Sequence, residues 1–170
     1  MTRLSVAVRP PRDVVVVLAG LSRPAVPGVI WSSPEQWLVK VRPLGHVDER
    51  LVPDLAEALR NGLDGAPPAR CVLGPATVRL AGQWLGVPVE GLEELGRAVF
   101  ESTEPIVPVT HPQPFRTDLV LARGRAPAQL AGTPLEAVWE ADAVALVADR
   151  SAPGRPRLVD VVTVPLAGEV

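Results

Sequence analysis

The sequence predicts an α+β fold of two similar lobes, and three observations carry that expectation. Short apolar runs alternating at period two are interleaved with segments whose apolar residues recur at helical spacing. Twenty prolines and fourteen glycines in 170 residues punctuate those runs, which argues for many short elements rather than disorder. The order of elements also recurs: Leu4 and Trp84 each open a strand followed by a helix, Leu38 and Asp118 each open a later strand, and both separations are 80 residues. Lobes related by such a repeat set these later strands on opposite walls of a shared cleft. The length leaves no room for a second independent core, so 1–170 is read as one domain of two pseudo-symmetric lobes.

The elements follow in order. Leu4, Val6 and Val8 alternate with polar or small neighbours, a strand over 3–9. Pro10-Pro11 opens a helix over 12–21, since a first-turn N–H has no helical partner to lose. Pro24 and Pro27-Gly28 form a turn before Val29-Ile30-Trp31. Ser33-Pro34-Glu35 forms another before a strand over 36–42, which Pro43-Leu44-Gly45 should end. Asp48 caps a helix over 49–61 with an apolar stripe of Leu51, Leu55, Ala58 and Leu59, stopped by Asn61-Gly62. Strands follow over 69–73, 77–80 and 84–89, then a helix over 92–100. A loop carrying Pro105, Pro108, Pro112 and Pro114 leads into a strand over 115–123. Apolar segments over 135–139 and 143–148, a turn at Ser151-Ala152-Pro153-Gly154 and alternating valines over 158–166 close the chain with a hairpin.

Composition excludes several functions. Seventeen basic against nineteen acidic residues, net −2, do not make a polycation that grips duplex DNA by bulk charge, although a local basic cleft is allowed. Sixteen of the basic residues are arginine; Lys40 is the single lysine. His46 and His111 are the only histidines, so no mechanism needing three applies. One cysteine, Cys71, rules out an intrachain disulfide and a CxxC zinc site, and its apolar strand setting marks an inert buried thiol. The apolar run 14–19 is far shorter than a membrane span and no signal peptide or lipid anchor is evident, so a cytoplasmic protein that avoids membranes is expected, with no metal and no cofactor.

Particular residues match a known pattern. Val6-Ala7-Val8-Arg9-Pro10-Pro11, then Val29-Ile30-Trp31-Ser32-Ser33-Pro34-Glu35-Gln36-Trp37, then Leu44-Gly45 resemble the opening of the 2′-5′ RNA ligase family of two-histidine (2H) phosphoesterases. Phe115-Arg116-Thr117-Asp118-Leu119-Val120-Leu121-Ala122-Arg123 is similar to its second signature block, and Val147 to Ser151 with Gly154-Arg155-Pro156-Arg157 to its closing hairpin. The resemblance runs nearly the whole chain, in order. It implies a pseudo-twofold fold of antiparallel sheets around a central cleft with helices outside. It also implies metal-free opening of a 2′,3′-cyclic phosphate or transfer at a 2′-5′ phosphodiester. Family members carry two His-x-Thr-x motifs on facing strands. One imidazole activates the nucleophile, the other protonates the leaving oxygen, and the threonines hold the phosphate.

This chain departs from the pattern at all four positions. Leu38 and Lys40 stand for the first His and Thr, Asp118 and Val120 for the second. His46 and His111 lie several residues away and are read as solvent-exposed loop residues. Strand parity sends Leu38, Lys40 and Arg42 one way and Arg116, Asp118 and Val120 towards the opposing wall. Lys40 and Asp118 should then share a space, either as an ion pair filling a retired active site or, in a rival reading, as a catalytic amine and base. Lys40, Arg42, Arg116 and Arg123 are alternatively a phosphate clamp, and Trp31 and Phe115 border it as stacking surfaces for a base. Trp37, of opposite parity to Lys40, should pack under a helix. The expected function is thus a degenerate 2H phosphoesterase-like protein that binds a nucleotide, an RNA end or another small phosphorylated ligand without catalysis. The alternatives are an enzyme using Lys40 and Asp118, and a protein-interaction scaffold with a closed cleft.

Overall fold

In the structure, a computed structural model that describes residues 1–81 and 83–167, the period-two runs become the strands of one antiparallel sheet with two halves. In one half lie β1 (Thr2–Val8), β3 (Val39–Val47), β9 (Ala143–Asp149) and β10 (Leu158–Pro165), ordered β10-β9-β1-β3. In the other, β7 (Asp118–Gly124), β6 (Trp84–Glu90), β4 (Ala69–Leu73) and β8 (Ala137–Ala141) follow in that order, with β2 (Val29–Trp31) beside β7 and β5 (Val78–Leu80) beside β6. Each half therefore mixes segments from both ends of the chain: the C-terminal hairpin closes on β1, while β4 lies between β6 and β8.

Among the described residues the halves are joined at one strand pair, Val39 with Leu119, both fully buried and 80 residues apart. The ladders on either side repeat around it. Lys40 pairs with Ala7 and Val39 with Val8; Val120 pairs with Gly86 and Leu119 with Val87. Both strands bulge at matching positions. Val41 is passed over between the pairs made by Lys40 and Arg42, and Leu121 between those made by Val120 and Ala122. The offset is thus 80 for β3 and β7. For β1 and β6 the register makes it 79, one less than the sequence spacing of Leu4 and Trp84, because Ala7 corresponds to Gly86.

Helices α1 (Arg12–Ala19), α2 (Val52–Gly62) and α3 (Glu93–Thr103) cover one face. Val14 and Leu18, Leu55 and Leu59, and Leu95 and Val99 pack there with Leu4, Val6, Val8, Val87, Leu119 and Leu121. Trp37 is buried in this core, as its parity required, with the Arg23 guanidinium 5.7 Å from its ring centroid. On the opposite face Ala7, Leu38, Ala145 and Val147 make a second, smaller apolar cluster. Alternation explains the division: residues adjacent to core positions on a strand point away from the core.

Several boundaries differ from expectation. β3 starts at Val39 because residues 34–36 form a 3-10 turn, in which the Ser33 N–H donates to the Gln36 side-chain oxygen at 3.0 Å. It then continues through Pro43 to Val47, since Pro43 sits at a further bulge, where Leu44 is passed over between the pairs of Pro43 and Gly45. His46 is consequently a strand residue and not a loop residue, though it is exposed. The helix expected over 49–61 begins as a 3-10 turn, Glu49–Leu51, capped by Asp48, before α2. β7 begins at Asp118 rather than 115, because Phe115 turns aside to lie against Gly96, where an added Cβ would come within 2.5 Å of the ring.

Since the sheet halves are joined through a single pair, Leu119→Ala should lower unfolding stability by about 2–5 kcal/mol, whereas Val161→Ala on exposed β10 should change it by about 0.5 kcal/mol or less. Urea denaturation of the two variants measures both.

Candidate functional site

Because Val39 and Leu119 face the core, the residues on either side of them face the other way. Leu38, Lys40, Asp118 and Val120 therefore gather around the seam on the face away from the helices. Their surroundings differ sharply. Leu38 is 5% exposed and packs with Ala7, Ala145, Val147 and Leu158. The chain over it is tied down: the Leu158 N–H donates to Glu35 Oε1 at 2.9 Å, and Arg9 both pairs with Asp160 at 2.8 Å and donates to the Glu35 carbonyl at 3.2 Å. Leu38 is thus enclosed in a small apolar cluster with no ionisable partner in it.

Lys40 reaches solvent on the same face. Partial desolvation lowers its pKa, the Arg3 and Arg123 charges lower it further, and Asp149 acts in the opposite direction. Among the described residues Lys40, Arg3 and Arg123 form no ion pair within 4.0 Å. Arg3 stands opposite Asp149 on the β1–β9 ladder. Burial pushes the Asp149 carboxyl up, but hydrogen bonds from Ser151 and the charges of Arg3 and Lys40 outweigh it and hold the group below the usual carboxylate value. The Arg123 guanidinium lies 5.4 Å from the ring centroid of Trp84, which is 41% exposed. Leu85, Val87 and Val89 point into the core, so Trp84 points out onto the cationic face. The result is three cations, one carboxylate and one exposed aromatic surface.

Other expected site residues are elsewhere. Asp118 is raised in pKa by burial, against the opposing charge of Arg116, whose guanidinium is 4.0 Å away; no ion pair links Asp118 to Lys40 among the described residues. The Val41 bulge reverses parity, so Arg42 leaves the clamp and turns under α3. There Nη1 donates to Thr103 Oγ1 at 2.6 Å, Nη2 donates to the Val107 carbonyl, and the guanidinium lies 5.2 Å from the Phe100 centroid. Arg116 is exposed beside Asp118, at a cavity of about 210 Å³ that Phe115, Thr117 and Glu93 also line. Trp31 is half-buried, packs against the main core and donates its indole N–H to the Pro24 carbonyl at 2.9 Å. Val120 is half-buried at the seam. His111 is exposed in the proline-rich loop, with Nδ1 2.7 Å from the Thr110 carbonyl.

Sequence reasoning missed Arg3, Asp149 and the place of Trp84. The alternation of Arg3, Ser5 and Ala7 opposite Leu4, Val6 and Val8 carries the signal for Arg3. Asp149 required knowledge that the C-terminal hairpin pairs with β1. Among the described residues no group of three or more His, Cys, Asp or Glu could hold a metal ion, and no helix is long and apolar enough to cross a membrane.

No family model and no curated protein matches the sequence. Solved structures do. TT0787 of Thermus thermophilus superposes with a TM-score of 0.86 at 23% identity, over 99% of this chain and 100% of that one. E. coli LigT in apo form gives 0.77 at 18% identity, over 96% of each chain. The MHV ns2 PDE domain gives 0.59 at 14%, over 87% of this chain and 99% of that one. LigT has also been solved with 3′-AMP, NADP+, ATP and phosphate. The fold is therefore that of LigT, a curled antiparallel sheet with few helices, as the motif resemblance implied.

Burial of titratable groups has measurable consequences. Folded Lys40 loses its proton more readily than the unfolded chain, so its charge destabilises the fold at pH 7, and that penalty fades as pH rises towards the ordinary value of 10.5. Lys40→Met should melt at a higher temperature than the native protein at pH 7, with the gap closing in melts at progressively higher pH. Cys71 is fully buried and desolvation pushes its thiol up to about 11. A thiol-specific reagent at pH 8 should leave the native protein unmodified and label it fully in urea.

Proposed function

We propose that this chain binds a small phosphorylated ligand, a nucleotide or RNA end, on the face carrying Lys40, Arg3 and Arg123, and does not catalyse the phosphodiester chemistry of its fold. The observation that carries this reading is the solvent-facing Lys40, on which the charges of Arg3 and Arg123 act together against that of Asp149, while Arg3 faces Asp149 on the β1–β9 ladder and Arg123 lies over Trp84. Like charges held together raise the free energy of the empty site, and a phosphate removes that penalty while accepting hydrogen bonds from lysine and guanidinium. The indole of Trp84 beside Arg123 offers a base a stacking surface. Support also comes from LigT, a protein of this fold solved with 3′-AMP, ATP, NADP+ and phosphate.

The chemistry of the motif positions speaks against turnover. Acid–base catalysis needs two groups that exchange protons with the substrate. Leu38 can exchange none and its surroundings are apolar. Asp118 is engaged by Arg116, and Lys40 stands among cations, with no carboxylate within 4.0 Å to act as its base among the described residues.

Calorimetric titration with 3′-AMP and thermal-shift measurements test the reading. Saturable binding is expected, weakened at least tenfold by Lys40→Ala or Arg123→Glu, and falling as pH rises through the lowered pKa of Lys40. Incubation with 2′,3′-cyclic AMP should give no product. Hydrolysis that disappears in Lys40→Ala or Asp118→Ala would instead establish an enzyme built on those two residues. Absence of any response to nucleotide or phosphate would leave the interaction scaffold.

A further inference from the structure

On the helix-covered side, across β3 from the face that carries Lys40, a groove of about 1000 Å³ opens between β3, α3 and the proline-rich loop. That volume is at the upper end of small-molecule sites. Its apolar walls include Phe100 and Phe115, which are 43% and 46% exposed. Its charged lining is one-sided: Arg42, Arg97 and Arg116 against Glu93.

Arg42 is the informative member. It is 7% exposed, yet both of its hydrogen-bond acceptors are neutral, the Thr103 hydroxyl and the Val107 carbonyl. Among the described residues no carboxylate lies within 4.0 Å of it, and the charge of Glu104 acts on it from farther away. A buried guanidinium without a paired counter-charge is expensive unless something anionic reaches it. Arg97, one helical turn before Phe100, also has no ion pair among the described residues and brings a second positive charge to the same wall. Two aromatic rings beside two guanidinium groups that lack a paired carboxylate match a ligand with an apolar body and one anionic head.

We propose that this groove is a second binding site, separate from the cationic face around Lys40, for a small amphipathic organic anion whose head meets Arg42 and Arg97 while its body lies between Phe100 and Phe115. The aromatic walls exclude water from the body, and the arginines distinguish an acid from the corresponding alcohol.

The test uses the full chain and the fluorescent aromatic sulfonate 8-anilinonaphthalene-1-sulfonate. One equivalent should bind with blue-shifted, enhanced emission. Decanoate should displace it, while 1-decanol, of equal chain length and no charge, should do so at least tenfold less well. Arg97→Glu and Phe100→Ala lie at solvent-accessible positions, where substitution spares the fold as it would not at Arg42, and each should weaken the probe at least tenfold. Their melting curves, run alongside, should match that of the native protein. Saturating 3′-AMP should leave the probe in place. Native-like probe binding by both variants, equal displacement by decanol and decanoate, or competitive displacement by 3′-AMP would each overturn the proposal. The last would do so without touching the nucleotide reading, since it would put the probe at the Lys40 face.

Discussion

The pairing of Val39 with Leu119 is the contact on which the rest of the architecture depends. It is the sole register point between β3 and β7 among the described residues, and it joins residues equivalent under the internal repeat. A pair that maps onto itself under a pseudo-twofold operation must lie beside the axis. Because both side chains enter the core, their sequence neighbours converge on the other face, whatever those neighbours are. The geometry that would bring two His-Thr pairs together therefore persists here with leucine, lysine, aspartate and valine. Leucine and valine there exchange no protons, while lysine and aspartate keep ionisable groups on that face.

The two bulges decide what each face receives. Without the extra residue at Val41, strict alternation would place Arg42 beside Lys40. With it, the guanidinium crosses to the helix side and fastens the loop after α3 through Thr103 and Val107. The matching bulge at Leu121 sends Ala122 into the core and Arg123 out over Trp84. One cation is withdrawn from the cationic face and another is delivered to it, both by a one-residue insertion into a ladder.

Much of the fold was legible because its signals are local. Apolar alternation in β1 and β4, the helical stripe of α2 and the turn residues before β2 and β10 each belong to one short segment. The motif resemblance added the fold, but it set β3 and β7 on opposite walls of a cleft, whereas they are paired neighbours in one sheet. What stayed hidden depends on partners distant in sequence. A bulge has no signature in the strand that carries it, so the side of Arg42 could not be read from parity. Phe115 looked like a strand opening until Gly96 offered its ring a flat seat. Arg3 and Asp149 become site residues only when the hairpin of β9 and β10 closes on β1. Lys40 was conspicuous as the single lysine. Its importance follows from which charges surround it, and those come from β1, β7 and β9.

That environment argues for ligand binding over a purely structural role. Four arginines lie beside a carboxylate: Arg9 by Asp160, Arg50 by Asp48, Arg150 by Glu49 and Arg116 by Asp118. Among the described residues Lys40, Arg3 and Arg123 have no such partner within 4.0 Å. Asp149 is the acidic group whose charge acts there, and it also accepts the Ser151 N–H at 2.9 Å. A lysine with a purely structural role would be more stable beside a carboxylate or replaced by an apolar residue such as Leu38, two residues earlier. Retaining it between two arginines has a physical rationale when an anion arrives to share the three charges. On the proposed reading, the buried Leu38 offers no group for proton transfer, while the cationic cluster at Lys40 is open to a phosphate.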